Sequence, residues 1–118
     1  MTRVTTWFDI PVADMARAIR FYEQLLKRKL ERLPMGQDRE TALLGEDGCL
    51  FRSPEDQPSH SGSRVYFSAE SGVDDWLARV DAAGGKTLVP KTPIASGRGF
   101  FAYFEDSEGN RVGLHGSR

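Results

Sequence analysis

One order of sequence patterns occurs twice in this chain, on either side of a polar segment near its middle. Residues 3–12 read as a strand, Asp14 is the expected N-cap, and residues 15–29 carry apolar side chains at the spacing of one buried helical face. Further strands are predicted at residues 30–35, 39–44 and 48–52. The segment 53–63 is rich in Pro and Ser, as a linker is.

The same order begins again after this linker. Residues 64–69 alternate as a strand, and a helical stripe starts at Val73; later strands are predicted at residues 86–89, 100–105 and 111–115. A shift of about 57 residues lays Trp7 of the first copy on Arg64 of the second. Because a unit of this kind buries only one face of its sheet, we expect the two copies to pack together.

Length and composition limit the chain to one domain and exclude several classes of partner. We expect a single domain over 1–118, with module one at about 1–53, the linker at 54–63 and module two at about 64–118. The net charge of −1 argues against nucleic acid as a partner. The single cysteine, Cys49, favours a reducing compartment, and no apolar run approaches the roughly 20 residues that span a bilayer. We therefore expect a cytoplasmic protein without membrane contact.

Three segments of the chain resemble segments of one known family. Residues 10–18 with Phe21 and Tyr22 look like its first strand and helix, residues 73–86 like its second helix, and residues 104–114 like its closing hairpin. The family is the vicinal-oxygen-chelate superfamily of glyoxalase I, bleomycin-resistance proteins and extradiol dioxygenases, and the chain most resembles its glyoxalase-related group. The resemblance implies an α+β fold in which two tandem βαβββ modules form one cup-shaped mixed sheet, with a helix packed outside each module. It also implies a small-molecule cavity and a homodimer.

The metal-binding positions of that family carry unsuitable residues here. They fall on Trp7, Arg64 and Gly113. An indole only donates, a guanidinium is a permanent cation and glycine has no side chain, so none of the three can ligate a divalent ion. His115 is the candidate metal ligand, because it shares the face of Gly113, whereas His60 lies in the linker. We predict no cofactor, and a divalent metal held by other residues is the alternative.

Alternation along the strands places polar and aromatic side chains inside the cup. The predicted ligand-binding residues are Trp7, Asp9, Arg64, Tyr66, Phe101 and Tyr103. Aromatic rings offer stacking area and Arg64 offers paired donors, so the lining suits a small aromatic or anionic organic molecule. Asp9 is the candidate general base, provided that its pKa is shifted. Two alternatives stay open: the aromatic side chains fill the cavity as core, or Asp9 pairs with Arg64.

Three functions follow from these observations. The first is a protein of this superfamily that binds a small organic molecule in its cup without metal. The second is a metal-dependent lyase, isomerase or dioxygenase of the glyoxalase type with non-standard ligands. The third is a dimerising module whose cavity is vestigial. The sequence does not decide whether the protein is an enzyme. Cys49 is expected to be a small buried apolar residue, and residues 96–99 to form a mobile loop at the cavity rim.

Overall fold

The first half of the chain forms a four-stranded sheet with one helix against it. The structure is a computed structural model and describes residues 4–118. In chain order the elements are β1 (Phe8–Pro11), α1 (Met15–Leu26), β2 (Arg32–Gly36), β3 (Arg39–Leu43) and β4 (Gly48–Arg52). The strand order is β1-β4-β3-β2, in which β1 runs parallel to β4 and the other pairs are antiparallel.

The second half repeats this arrangement. Its elements are β5 (Tyr66–Ser68), α2 (Val73–Ala82), β6 (Lys86–Pro93), a short 3-10 turn (Ala95–Gly97), β7 (Phe100–Glu105) and β8 (Arg111–Gly116). The strand order β5-β8-β7-β6 matches that of the first sheet. The predicted α+β class and the tandem βαβββ modules are confirmed. The strands form two four-stranded sheets, one in each module, and within residues 4–118 no ladder joins them into the single sheet that was expected.

Two strands are shorter than their sequence patterns predict. β1 begins at Phe8, because its partner is β4 and the first residue of β4, Gly48, lies opposite Phe8. The predicted start of this strand at residue 3 lies outside the described residues. β5 likewise begins at Tyr66, which is opposite Gly113 of β8. Trp7 and Arg64 therefore lie just before their strands, where no ladder fixes the direction of their side chains.

Helix α1 also ends before its predicted end at residue 29. Lys27 adopts a left-handed conformation with φ of 57° and donates its backbone N–H to the carbonyl of Glu23, which closes the helix. The predicted N-cap is confirmed, since the Asp14 carboxylate accepts a hydrogen bond of 3.0 Å from the backbone N–H of Arg17.

A carboxylate from module two completes the start of α1. Glu108, in the hairpin between β7 and β8, accepts hydrogen bonds from the backbone N–H groups of Ala13 and Asp14 at 2.9 and 2.8 Å. The same carboxylate forms a bidentate pair with Arg17. Partial burial raises the pKa of Glu108, but the hydrogen bonds from Arg17 and the two backbone groups outweigh it and lower the pKa overall. These contacts fix the two modules to each other.

The hydrophobic core lies between the helices and the sheet faces that they cover. Phe21 and Tyr22 of α1 are buried, and Phe21 lies 6.1 Å from Phe104 of β7, ring centre to ring centre. Ala102, Phe104 and the alternate residues of β8 point into this core. The intervening residues of β7 and β8 therefore face the opposite, open side of the second sheet. No helix within residues 4–118 has both the length and the apolar character needed to cross a membrane.

Candidate functional site

A cavity of about 550 Å³ lies on the open face of the second sheet. It is lined by Tyr66, Phe67, Ser68, Ile94, Phe101, Tyr103 and His115. All of these residues belong to module two. Of the six predicted ligand-binding residues, the structure thus brings three together here, namely Tyr66, Phe101 and Tyr103.

Arg64 joins this group through two hydrogen bonds to phenols. Its Nη1 donates to the Tyr103 hydroxyl at 2.9 Å and to the Tyr66 hydroxyl at 3.3 Å. The two hydroxyls lie 3.1 Å apart, close enough to share a hydrogen bond. The guanidinium carbon also lies 4.1 Å from the centre of the Tyr103 ring, in a cation–π contact. One guanidinium and two phenols thus form a compact polar cluster at the aromatic cavity.

A second guanidinium reaches the same cluster from β8. Arg111 lies 5.9 Å from the centre of the Tyr103 ring. Among residues 4–118, neither Arg64 nor Arg111 lies within salt-bridge distance of a carboxylate. Their Nε atoms are the two buried side-chain polar atoms in this part of the chain that lack a hydrogen-bond partner. Neither arginine is among the residues that line the 550 Å³ cavity: Arg64 borders an adjoining cleft of about 290 Å³ and Arg111 one of about 240 Å³. Buried polar groups are nearly always paired, so the two Nε atoms are an unusual feature of this cluster.

The cluster changes the acidity of its phenols. Partial burial raises the pKa of Tyr66, but hydrogen bonds from Tyr103 and Arg64, with the charges of Arg64 and Arg111, lower it overall. The hydrogen bond to Tyr66 raises the pKa of Tyr103, with burial as the next cause. Tyr66 is therefore the phenol of the pair that loses its proton first.

Trp7 and Asp9 lie on the first module and do not line the 550 Å³ cavity. The Trp7 indole donates to the Asp9 carboxylate at 3.0 Å, and the Cys49 thiol donates to the same oxygen at 3.2 Å. Asp9 therefore does not pair with Arg64. Trp7 is 46% exposed and, with Arg64, borders a separate cleft of about 290 Å³. Cys49 is buried as predicted, and burial is the main cause that raises the pKa of its thiol.

The residues at the family's metal positions do not fit a divalent cation. A Cβ atom added at Gly113 would lie 2.5 Å from Cδ2 of Tyr66, so the tyrosine ring fills the space of a ligating side chain. Trp7 uses its one polar atom on Asp9, and Arg64 is a cation. The Nε2 atom of His115 lies 2.9 Å from the backbone carbonyl oxygen of Arg98. Among residues 4–118, no group of three or more His, Cys, Asp or Glu side chains is placed to hold a metal ion.

Sequence reasoning missed two apolar residues that line the cavity. Ile94 follows β6 in a segment, residues 90–95, for which no element is predicted, and its weak signal is one large apolar side chain among mostly polar residues. Phe67 was expected on the core side of its strand alone, and it also reaches the cavity at the sheet edge. Arg111 lies two positions before Gly113, so alternation along the strand places it on the same face, but it is not among the predicted ligand-binding residues.

The close contact between Tyr66 and Gly113 leads to a stability prediction. Gly113→Ala should push the Tyr66 ring out of the cluster and cost about 1–3 kcal/mol of unfolding free energy. Urea denaturation measures this cost. In a Tyr66→Ala background the same change should cost little, because the colliding ring is gone. Gly45→Ala is the matched control, since its added methyl group would meet its nearest neighbour at an ordinary 3.6 Å. Equal costs in both backgrounds would contradict the prediction.

Comparison with known proteins connects this fold to one superfamily. The family model of the Glyoxalase/Bleomycin resistance protein/Dioxygenase superfamily matches residues 5–114. No curated protein matches the chain in sequence.

Solved structures with the same fold include three from different sources. A mutant of glyoxalase I from Zea mays has 24% identity and a TM-score of 0.72, with 94% of this chain and 45% of that chain covered. A mutant of the fosfomycin resistance protein FosX from Listeria monocytogenes, complexed with Mn(II) and 1S,2S-dihydroxypropylphosphonic acid, has 19% identity and a TM-score of 0.67, with 98% and 90% covered. A glyoxalase-related enzyme from Fulvimarina pelagi has 15% identity and a TM-score of 0.70, with 98% and 88% covered.

Proposed function

Since the chain belongs to the Glyoxalase/Bleomycin resistance protein/Dioxygenase superfamily, we propose that it binds a small organic anion in the cavity of module two without a metal. The observation that carries this proposal is the pair of half-buried guanidiniums, Arg64 and Arg111, which have no carboxylate partner and whose Nε atoms lack a hydrogen bond. A carboxylate or phosphonate at the Arg64 end of the cavity would supply the missing negative charge.

The walls of the cavity, which adjoins the two guanidiniums through Tyr66 and Tyr103, determine which organic group carries the anion. Phe101 and Tyr103 lie 5.2 Å apart, ring centre to ring centre, and Ile94 adds an aliphatic surface. Flat or apolar groups bind such walls through buried area and stacking. The proposed ligand is therefore a carboxylate or phosphonate on an aromatic or otherwise apolar body. The FosX complex supports the oxyanion class, because its organic ligand is a phosphonate.

A ligand screen by thermal denaturation tests the proposal. Benzoate, phenylacetate and phenylphosphonate are compared with their neutral amides or alcohols of the same shape. A ligand at 100 times its Kd should stabilise the folded protein by about 2.7 kcal/mol, which is several degrees in Tm. The anions should stabilise and the neutral compounds should not. Stabilisation by both sets alike would exclude an anion site, and none by any compound would favour the vestigial cavity.

The competing function is a metal-dependent enzyme of the glyoxalase type. The Mn(II) in the FosX complex is the observation in its favour. The ring of Tyr66 over Gly113 and the cation Arg64 at a second metal position are the observations against it. Metal analysis of the purified protein separates the two functions. The proposal of metal-free binding would be overturned if the wild-type protein held a divalent metal in stoichiometric amount and a substitution in the cavity removed that metal.

We further propose that the protein is a cytoplasmic homodimer. Its one cysteine is unpaired and buried, which suits a reducing compartment. The face of the first sheet that α1 leaves uncovered carries Leu33 and Leu43, and Trp7 is exposed beside it. Exposed apolar patches of this kind are typical of protein interfaces.

A single charge on this face should break the dimer. Leu43 is 48% exposed and adjoins Cys49 across the ladder. Leu43→Glu should convert the dimer to a monomer, because an interface does not tolerate an unpaired buried carboxylate. Light scattering after gel filtration measures the mass. Gln24→Glu, an equal charge change on the exposed side of α1, is the control and should remain a dimer. A monomeric wild-type protein would refute the proposed assembly.

A further inference from the structure

The two phenols at the cavity can lose a proton, which the arginines beside them cannot do. Tyr66 and Tyr103 hold their hydroxyls 3.1 Å apart beside Nη1 of Arg64. Nη1 donates and cannot accept, so both phenol oxygens act as acceptors toward it. One hydroxyl also donates to the other. The arrangement thus stabilises a negative charge on either phenol oxygen through a cation and a neighbouring hydroxyl.

A phenolate formed here and a bound anion place their negative charges beside the same two guanidiniums. Arg64 and Arg111 are the two cations of the cluster, and neither has a carboxylate of its own. Two negative charges within one small cluster repel each other, even though Tyr66 is 47% exposed. A ligand oxyanion and an ionised Tyr66 therefore exclude one another.

We propose that the Tyr66–Tyr103 pair couples ligand binding to its own protonation, so that the cavity binds its oxyanion with both phenols protonated and releases it when Tyr66 ionises. This inference rests on the proposed anion binding in the same cavity. Protonated, the hydroxyl that does not donate to its neighbour adds to Arg64 as a donor for the ligand oxygen, which gives the site two convergent donors. Ionised, the pair supplies an internal anion that takes the place of the ligand.

The groups around Tyr66 favour its ionisation over that of its neighbours. Arg64 precedes it in the chain, Tyr103 faces it from β7, and Arg111 faces it from β8. His115 lines the same cavity farther along β8, and Asp47 borders the cleft on the other side. Although burial raises the pKa of Tyr66, its two hydrogen bonds and the two guanidinium charges bring it below the ordinary value.

The direction of the pH effect follows from this order of ionisation. A bound anion raises the pKa of Tyr66, so the complex holds more protons than the free protein near that pKa. Affinity should be constant below the first phenol ionisation of the free protein. Above it, affinity should fall by about tenfold per pH unit, until Tyr66 ionises in the complex as well.

The tyrosine content of the chain makes this directly measurable. There are three tyrosines, and the third, Tyr22, is fully buried and hydrogen-bonded to Asp106. Burial and the nearby carboxylate raise the pKa of Tyr22 well above its ordinary value. In an absorbance titration at about 295 nm, the first phenol to ionise should therefore belong to the cavity pair, below the ordinary tyrosine pKa of about 10.

The experiment combines this titration with binding of phenylphosphonate. Tyr66→Phe should remove the Tyr66 step and leave Tyr103 as the one cavity phenol that titrates, and Tyr103→Phe should move the first step toward the ordinary pKa, because Tyr66 loses a donor. Tyr22→Phe, the control, should leave the first step unchanged. Saturating phenylphosphonate should shift the first step of the wild-type protein to higher pH. In calorimetric titrations its affinity should fall with pH in the wild-type protein and much less in Tyr66→Phe.

The outcomes separate this inference from the proposed function. A first step whose midpoint and amplitude are unchanged in Tyr66→Phe overturns the assignment to Tyr66 without any ligand. Binding of phenylphosphonate with an affinity independent of pH across that step overturns the coupling and leaves the anion site intact. Failure of phenylphosphonate and the other anions to bind at any pH overturns the anion site, and the coupling with it.

Discussion

Arg64→Met should lower the affinity for the anionic ligand about 100-fold, since charged hydrogen bonds to an oxyanion are among the strongest in a binding site. The methionine keeps an apolar side chain of similar length and removes the guanidinium that lies over the Tyr103 ring. Calorimetric titration with the tightest ligand of the thermal screen gives the ratio of the two Kd values.

Two further variants make this result specific. Arg64→Lys keeps the charge but not the planar pair of donors, so we expect an intermediate loss. Arg20→Met, an equal charge change on the exposed side of α1, should leave the Kd unchanged. If the Arg64→Met variant binds the anion as well as the wild-type protein, the anion does not contact this guanidinium and the proposed site is wrong.

Asp106→Ala should destabilise the protein by about 3–5 kcal/mol, because several buried donors lose their acceptor at once. Asp106 is 4% exposed and accepts hydrogen bonds from the Tyr22 hydroxyl at 2.7 Å, the backbone N–H groups of Glu108 and Asn110, and the Asn110 side chain. Tyr22 belongs to α1 of the first module and Asp106 to the hairpin of the second. The variant should therefore also weaken the junction between the modules, and urea denaturation measures the change.

Asp106→Asn separates charge from hydrogen bonding. It keeps the oxygen that accepts from the two backbone groups, so it should cost much less than Asp106→Ala. Burial is the main cause that raises the pKa of Asp106, in opposition to its hydrogen bonds. Because the pKa is raised in the folded state, the wild-type protein should gain stability relative to Asp106→Asn as the pH falls from neutral through that pKa. A relative loss of stability on acidification would contradict the raised pKa.

Local patterns predicted most of the secondary structure and failed at its ends. The apolar stripes of α1 and α2 and the alternation in β7 and β8 depend on neighbouring residues, so they are readable from the sequence. The start of β1 depends on the length of its partner β4, which is distant in the chain. The premature end of α1 at Lys27 depends on one left-handed residue that no glycine signals.

The candidate site was only partly predictable, for the same reason. Alternation placed Tyr66, Phe101 and Tyr103 on one face, and the structure has them around one cavity. The sequence could not show that Trp7 donates a hydrogen bond to Asp9 beside the first sheet, or that neither residue lines the cavity. No ladder joins the first sheet, which holds Asp9, to the second sheet, which holds the cavity. Position in the chain therefore does not say whether a residue of the first sheet reaches that cavity.

The repeated order of strand, helix and strands was determined by the sequence itself, because periodicity and capping act over a few residues and occur twice around one linker. What only the tertiary structure decided is which side chains converge. Arg64 meets Tyr103 across 39 positions of the chain, and Glu108 meets Asp14 across 94. Such contacts depend on how the sheets pack and curve, and that is set by the whole core and not by any segment of it.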